Sequence, residues 1–150
     1  MTKMIKKLFS VSPAVGRDVV LLFLRISIAA LMLVHGLPKL QTLMSGEPVT
    51  FISFMGMSST LTLTLVVFAE VFCSVLLLVG FGTRVAVIPL IITMLVAVFH
   101  VHASDPFVKQ EMGLHYLLAY GILLVTGSGK YSADSLLERR LATVPQGSEG

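Results

Sequence analysis

Four stretches of this 150-residue chain are too apolar to sit in water as surface helices and long enough to cross a bilayer. They are Val19 to Leu40, Leu61 to Val79, Val85 to Val101, and a fourth whose apolar core is Met112 to Thr126. A span needs about 20 mostly apolar residues, because each adds about 1.5 Å across a hydrocarbon core of about 30 Å. Ser104-Asp105-Pro106 lengthens the fourth to Phe107–Gly127, since Asp caps helices and Pro is tolerated in a first turn. Lipid offers no hydrogen-bond partners, so each span must be helical. The predicted fold is all-α, an integral membrane antiparallel four-helix bundle joined by short loops. Hydrophobic residues make up 55% of the chain and charged residues 13%, against about 25% charged in a soluble domain. Mean hydropathy is +0.93. There is too little charge to coat a water-facing surface, which excludes an ordinary cytosolic enzyme, a disordered chain and a nucleic-acid binder. The first stretch is not a cleaved signal peptide, because it is too long, contains Arg25 and has no small-residue cleavage pattern after it.

The basic residues orient the bundle. With four spans both termini share a side, and that side holds Lys3, Lys6, Lys7, Arg17, Arg84, Lys130, Arg139 and Arg140. The other side holds Lys39 and Lys109. The positive-inside rule then makes both termini cytoplasmic and the protein a multi-pass resident of the inner (cytoplasmic) membrane. Three regions follow: an N-terminal amphipathic segment (1–18), the transmembrane domain (19–127) and a cytoplasmic tail (128–150). Residues 81–83 form a tight cytoplasmic turn, with Gly80 before it and Gly82 within it. Between spans one and two, VTFISFMGM is too apolar for a free loop and too short to span, so a short outer interfacial helix or re-entrant segment is expected there. TKMIKKLFSV suits the anionic cytoplasmic leaflet. The tail has a short amphipathic helix from Ser132, followed by a polar end, TVPQGSEG, expected to be disordered.

Two ionisable residues fall inside the spans. Arg25 and Glu70 lie about 9 and 15 Å from the inner boundary at 1.5 Å per residue. A lone charge in hydrocarbon costs about 2.5–3.5 kcal/mol on insertion scales, so both should face the bundle interior, and an Arg25–Glu70 pair is predicted. Such a pair either fixes helix register or takes part in proton handling or head-group binding. Ala29, Met32 and Gly36 share the Arg25 face, while Cys73 and Ser74 lie near the Glu70 face. Cys73, the only cysteine, has no base beside it in sequence and reads as a packing residue. His35, His100, His102 and His115 all fall at the outer helix ends, with Glu111 four residues before His115. With Lys39 they form a candidate polar pocket or proton relay. His100 and His102 point about 200° apart on an unbroken helix, so one site takes both only if the helix ends there. His100, His102 and His115 are the candidate metal ligands, but their spacing matches no dedicated ligand motif. The eight methionines read as packing rather than as copper ligands. Tyr116 and Tyr120 read as packing residues and interface anchors.

Several of these pieces, in order, resemble the DoxX family of small bacterial four-helix membrane proteins. They are LFLRISIAALMLVHGLPKL, the MGM step, FAEVF, LVGFGTR, FHVH and GSGKYSAD, spread over roughly residues 19 to 136. The resemblance implies a membrane subunit or accessory protein of a quinone-linked redox system. Arg25, His35, Gly36, Lys39, Glu70, Arg84 and His100 are the positions it points to. Quinone is the implied ligand, and no covalent cofactor is expected, because CxxCH and nucleotide-binding signatures are missing from the sequence. Electrons would then come from a soluble or membrane redox partner, and the chain itself is at most a quinone-interacting subunit of an oxidoreductase. Two other readings stay open. One is a non-catalytic scaffold that docks a partner through residues 51–57; the other is small-solute transport by an oligomer. A homodimer fits the exposed surface of a four-helix unit. The lipid bilayer is the one partner that composition demands, and nucleic acid is not a partner.

Overall fold

The computed structural model describes residues 13–142, and no strand occurs among the described residues. Helix α1 runs from Pro13 to Met44. Helix α2 spans Ser59–Val79 and α3 spans Thr83–Val101. Helix α4 is Phe107–Thr126 and α5 is Ala133–Ala142. The expected amphipathic segment at residues 2–11 and the polar end at 143–150 lie outside the described residues. A short helix does follow Ser132, whose Oγ accepts the Ser135 N–H at 3.2 Å and so caps α5.

The helices α1 to α3 are each long and apolar enough to cross a membrane. Their apolar side chains point mostly outward. Only 33%, 44% and 28% of the most apolar windows of α1, α2 and α3 are buried inside the fold. Phe23, Val34, Val85 and Phe99 are exposed, while Arg25, Glu70, Ser74 and Thr83 are buried. This inverts the distribution of a water-soluble domain and suits a bilayer as solvent. Three threonine hydroxyls on the spans return to their own backbone: Thr62 Oγ1 donates to Ser58 O, Thr64 Oγ1 to Thr60 O and Thr93 Oγ1 to Pro89 O. Each bond satisfies a polar group without a partner in lipid. Helix α4 has the length of a span, but Lys109, Gln110 and Glu111 occupy its first turns.

Neighbouring helices run antiparallel in fixed register. Along α1 and α2, Arg25 meets Gly80 and Gly36 meets Glu70. Along α3 and α4, Arg84 meets Gly127 and Val98 meets Gly113. Gly36 allows a close approach: a methyl there would lie 2.8 Å from Val71 Cγ2 and 3.0 Å from Glu70 Cβ. The core between the helices is built from Ala29, Met32, Cys73, Leu77, Val87, Leu90, Tyr120 and Leu123. Cys73 is a buried packing residue.

At the end where α1 begins, α2 stops at Gly80 (φ 76°), whose N–H bonds Leu76 O while the Phe81 N–H bonds the same carbonyl. The Asp134 carboxylate accepts the Gly82 N–H at 2.8 Å and the Thr83 N–H at 3.4 Å, so α5 supplies the cap for the start of α3. Among the described residues the same end carries Arg17, Arg84, Lys130, Arg139 and Arg140, with only Lys39 and Lys109 toward the other.

Of the two forms expected for the segment between α1 and α2, the short helix is not the one adopted, since residues 45–58 contain no helix. Gly46, Pro48 and the β-branched Val49 and Thr50 disfavour one. Met55 (φ 47°) and Gly56 (φ 78°) then form a left-handed turn, closed by Met57 N–H to Phe54 O at 2.9 Å and Ser53 Oγ to Met57 O at 2.9 Å. The start of α4 differs too. The Asp105 carboxylate meets the His102 and Lys109 side chains rather than capping backbone N–H groups.

Candidate functional site

The buried charges pair differently from the sequence prediction. Glu70, 2% exposed, takes Lys39 Nζ on both oxygens, at 2.6 and 2.7 Å. Arg25 is also 2% exposed, and its Nη1 and Nη2 donate to Ser128 O at 2.6 Å and Tyr131 O at 2.8 Å. The Arg25–Glu70 pair is therefore not formed. The register explains why: Arg25 is level with Gly80, at the end of α2, and Glu70 is ten residues deeper, about 15 Å along the axis. The error came from setting the start of α1 level with the end of α2; α1 begins at Pro13 and runs past that end, so Arg25, twelve residues in, is where the α2 end lies. Arg25 is a clamp that holds the 127–132 turn against the bundle end. Its guanidinium sits over Gly80, where any Cβ would lie 2.7 Å from Cζ.

The Lys39–Glu70 pair lines a cavity of about 560 Å³. Helices α2 and α3 form its walls, through Val66, Ala69, Pro89, Ile92 and Val96, and Phe51, Phe54 and Met57 from the irregular segment also line it. Its other polar lining residues are Thr62, Thr93 and His102. Leu65, Phe68 and Ile92 line the cavity and are also about half exposed on the outer surface of α2 and α3. The cavity therefore opens toward the surface that faces lipid.

Two π-helical turns flank it, Phe68–Cys73 in α2 and Ala97–Val101 in α3. Such turns carry an extra residue, re-aim side chains and recur at functional sites. The first turn carries Glu70. The second carries His100, just before His102. Sequence reasoning missed both turns, since FAEVF and AVFHV have ordinary helical composition. It also missed the role of Lys39 as the Glu70 partner. The signal was present: in an antiparallel hairpin, the last turns of one helix face the first half of the next.

The histidines do not converge. His35 is exposed on α1 and its ring meets Tyr116 edge-on at 6.0 Å, on the α4 side and away from the cavity. His100 is exposed and meets Phe54 edge-on at 5.0 Å. His102 Nδ1 lies 2.7 Å from Asp105 Oδ2, and His115 Nδ1 lies 2.8 Å from Glu111 O. Of the predicted pocket residues only Lys39 and His102 line the cavity; His35, His100, Glu111 and His115 do not. The cause is helix geometry: these residues leave three helices at different azimuths. No group of three or more His, Cys, Asp or Glu residues among the described residues is placed to share a metal ion. The Asp105 carboxyl, in the loop between α3 and α4, is held below the usual carboxylate range, first by its hydrogen bond to His102 and then by Lys109.

Tyr116 and Tyr120 are buried and stacked on each other at 5.9 Å, so they are core residues and not interface anchors. A second, more polar cavity of about 620 Å³ lies at the basic end, lined by Arg17, Arg84, Lys130, Asp134 and Glu138 among others.

Outward apolar faces, an inward ion pair and hydroxyls folded back on their own helices define an α-helical membrane protein. The DoxX family profile matches residues 20–103, more than half of the 150-residue chain, and so takes in Arg25, Lys39, Glu70 and both π-helical turns. This chain belongs to the DoxX family. No curated protein and no solved structure matches it.

Proposed function

We propose that this protein is a small membrane subunit of a quinone-linked redox system, with α4 completing a four-span bundle in the inner membrane. Both termini are cytoplasmic in this reading, because the end rich in Arg and Lys is retained inside. The observation that carries the function is the cavity: apolar walls, access from the lipid-facing surface, and one half-buried ion pair able to meet a polar head. A lipid-soluble quinone has that character, an apolar tail with a hydrogen-bonding ring. The volume lies within the range of about 300–1,000 Å³ usual for small-molecule sites. Lys39 and Glu70 hold the head, and the walls from Val66 to Ile92 hold the tail. Electrons come from a partner protein.

The test is binding of a short-chain quinone to the purified protein in lipid nanodiscs, followed by equilibrium titration and native mass spectrometry. Saturable binding that Ala69→Trp, a substitution filling the cavity, abolishes is the expected result. Unsaturable partitioning equal to that of empty nanodiscs would overturn the assignment.

A further inference from the structure

Resting on the cavity assignment above, we infer that the Lys39–Glu70 pair selects a hydroxyl-bearing head group, so that the site prefers the reduced, quinol form of its ligand. The argument is one of donors and acceptors. An ammonium has three N–H donors, and Lys39 directs two of them at the Glu70 oxygens. One donor remains. The Glu70 carboxylate has about four lone-pair sites and accepts at two of them. It can only accept. A head that accepts one bond from Lys39 and donates one to Glu70 completes both partners without breaking the pair. A hydroxyl does this with a single oxygen, whereas a carbonyl accepts only and leaves Glu70 with nothing more.

The setting sharpens the choice. Glu70 is 2% exposed and its neighbours in the cavity are Val66, Ala69 and Phe68, so water competes poorly for the open acceptor sites. A hydrogen bond to a charged acceptor in such surroundings is stronger than one between neutral groups. Thr62 and Thr93 offer no rival donor, because their hydroxyls are spent on Ser58 O and Pro89 O. The ligand reaches the pair from the bilayer, between Leu65 and Phe68 of α2 and Ile92 of α3. That route admits an apolar molecule with a small polar end and excludes a free ion or sugar.

The experiment compares three ligands of one skeleton in nanodiscs without oxygen: a decyl quinone, its quinol, and the dimethyl ether of that quinol, which keeps the oxygens and loses the donors. The quinol should bind about tenfold tighter than the other two, equivalent to about 1.4 kcal/mol. In the double variant Lys39→Met with Glu70→Met the three should bind alike and more weakly, with the helical content unchanged. Equal binding of all three to the unaltered protein, or tighter binding of quinone, would overturn hydroxyl selection and leave the cavity assignment standing. No saturable binding of any of them overturns both.

Discussion

Replacing Lys39 by Met removes the ammonium and keeps a long flexible side chain in its place. Glu70 then holds a carboxylate that is 2% exposed and has lost both of its hydrogen bonds. Removing one partner of a buried ion pair typically costs about 3–5 kcal/mol. The Lys39 side chain is 32% exposed, so the pair is partly solvated, and we expect the lower end, about 3 kcal/mol. Glu70→Met should cost less, about 1 kcal/mol, because the freed Lys39 end can extend toward water along its own stem. The double variant should fall within about 1 kcal/mol of the unaltered protein, since a buried pair exchanged for apolar residues of similar size is often near neutral. The coupling between the two positions is then roughly 4 kcal/mol. Helical circular dichroism followed through reversible unfolding in mixed micelles of rising SDS fraction reads all four proteins. The reasoning fails if Lys39→Met unfolds with the unaltered protein, or if the two single effects simply add.

Three further outcomes are expected. Arg25→Met frees the carbonyls of Ser128 and Tyr131 and should loosen the 127–132 turn by about 3 kcal/mol, read as new protease cleavage there; Arg25→Lys, unable to fork to two carbonyls, should rescue it only in part, and an unchanged cleavage pattern would refute the clamp. The Asp105 carboxyl is lowered in the folded protein, so its bond to His102 stabilises the α3–α4 loop above the usual carboxylate range. That contribution is lost only as pH falls through the lowered value. Carboxyl carbon NMR should show the low midpoint, which Lys109→Met should raise in part. With Cys73 changed to Ser, an impermeant maleimide on intact cells should label Lys109→Cys and spare Lys130→Cys until the membrane is opened; the reverse pattern would invert the orientation.

Much of the fold is legible from residue order alone, because lipid as solvent leaves so few choices. Any run of about 20 apolar residues must become a helix there, and the predicted ends of α2 and α3 lie within two residues of those observed. The turn at 81–83 and the core position of Cys73 follow from the same simple constraints. The start of α1 was less legible. Arg17 and Asp18 are polar and read as flanking residues, yet Asp18 is buried, where it accepts the Lys130 N–H at 3.3 Å. Because α1 overhangs the end of α2 there, Arg25 is level with Gly80 and not with Glu70, which leaves Glu70 to another partner.

What the sequence determined by itself was the solvent, the helical class and the fact that Arg25 and Glu70 turn inward. Each of these depends on the free energy of single residues or single segments in hydrocarbon. What only the tertiary structure decided was who meets whom. The pairing of Glu70 with Lys39, the grip of Arg25 on the 127–132 turn, the two π-helical turns and the separation of the four histidines all depend on register between helices. A shift of one turn, about 5.4 Å, leaves every helix equally apolar but changes every polar contact. Close approach at Gly36 and Gly113 fixes that register, because only there do the neighbouring side chains of Glu70, Val71 and Val98 find room.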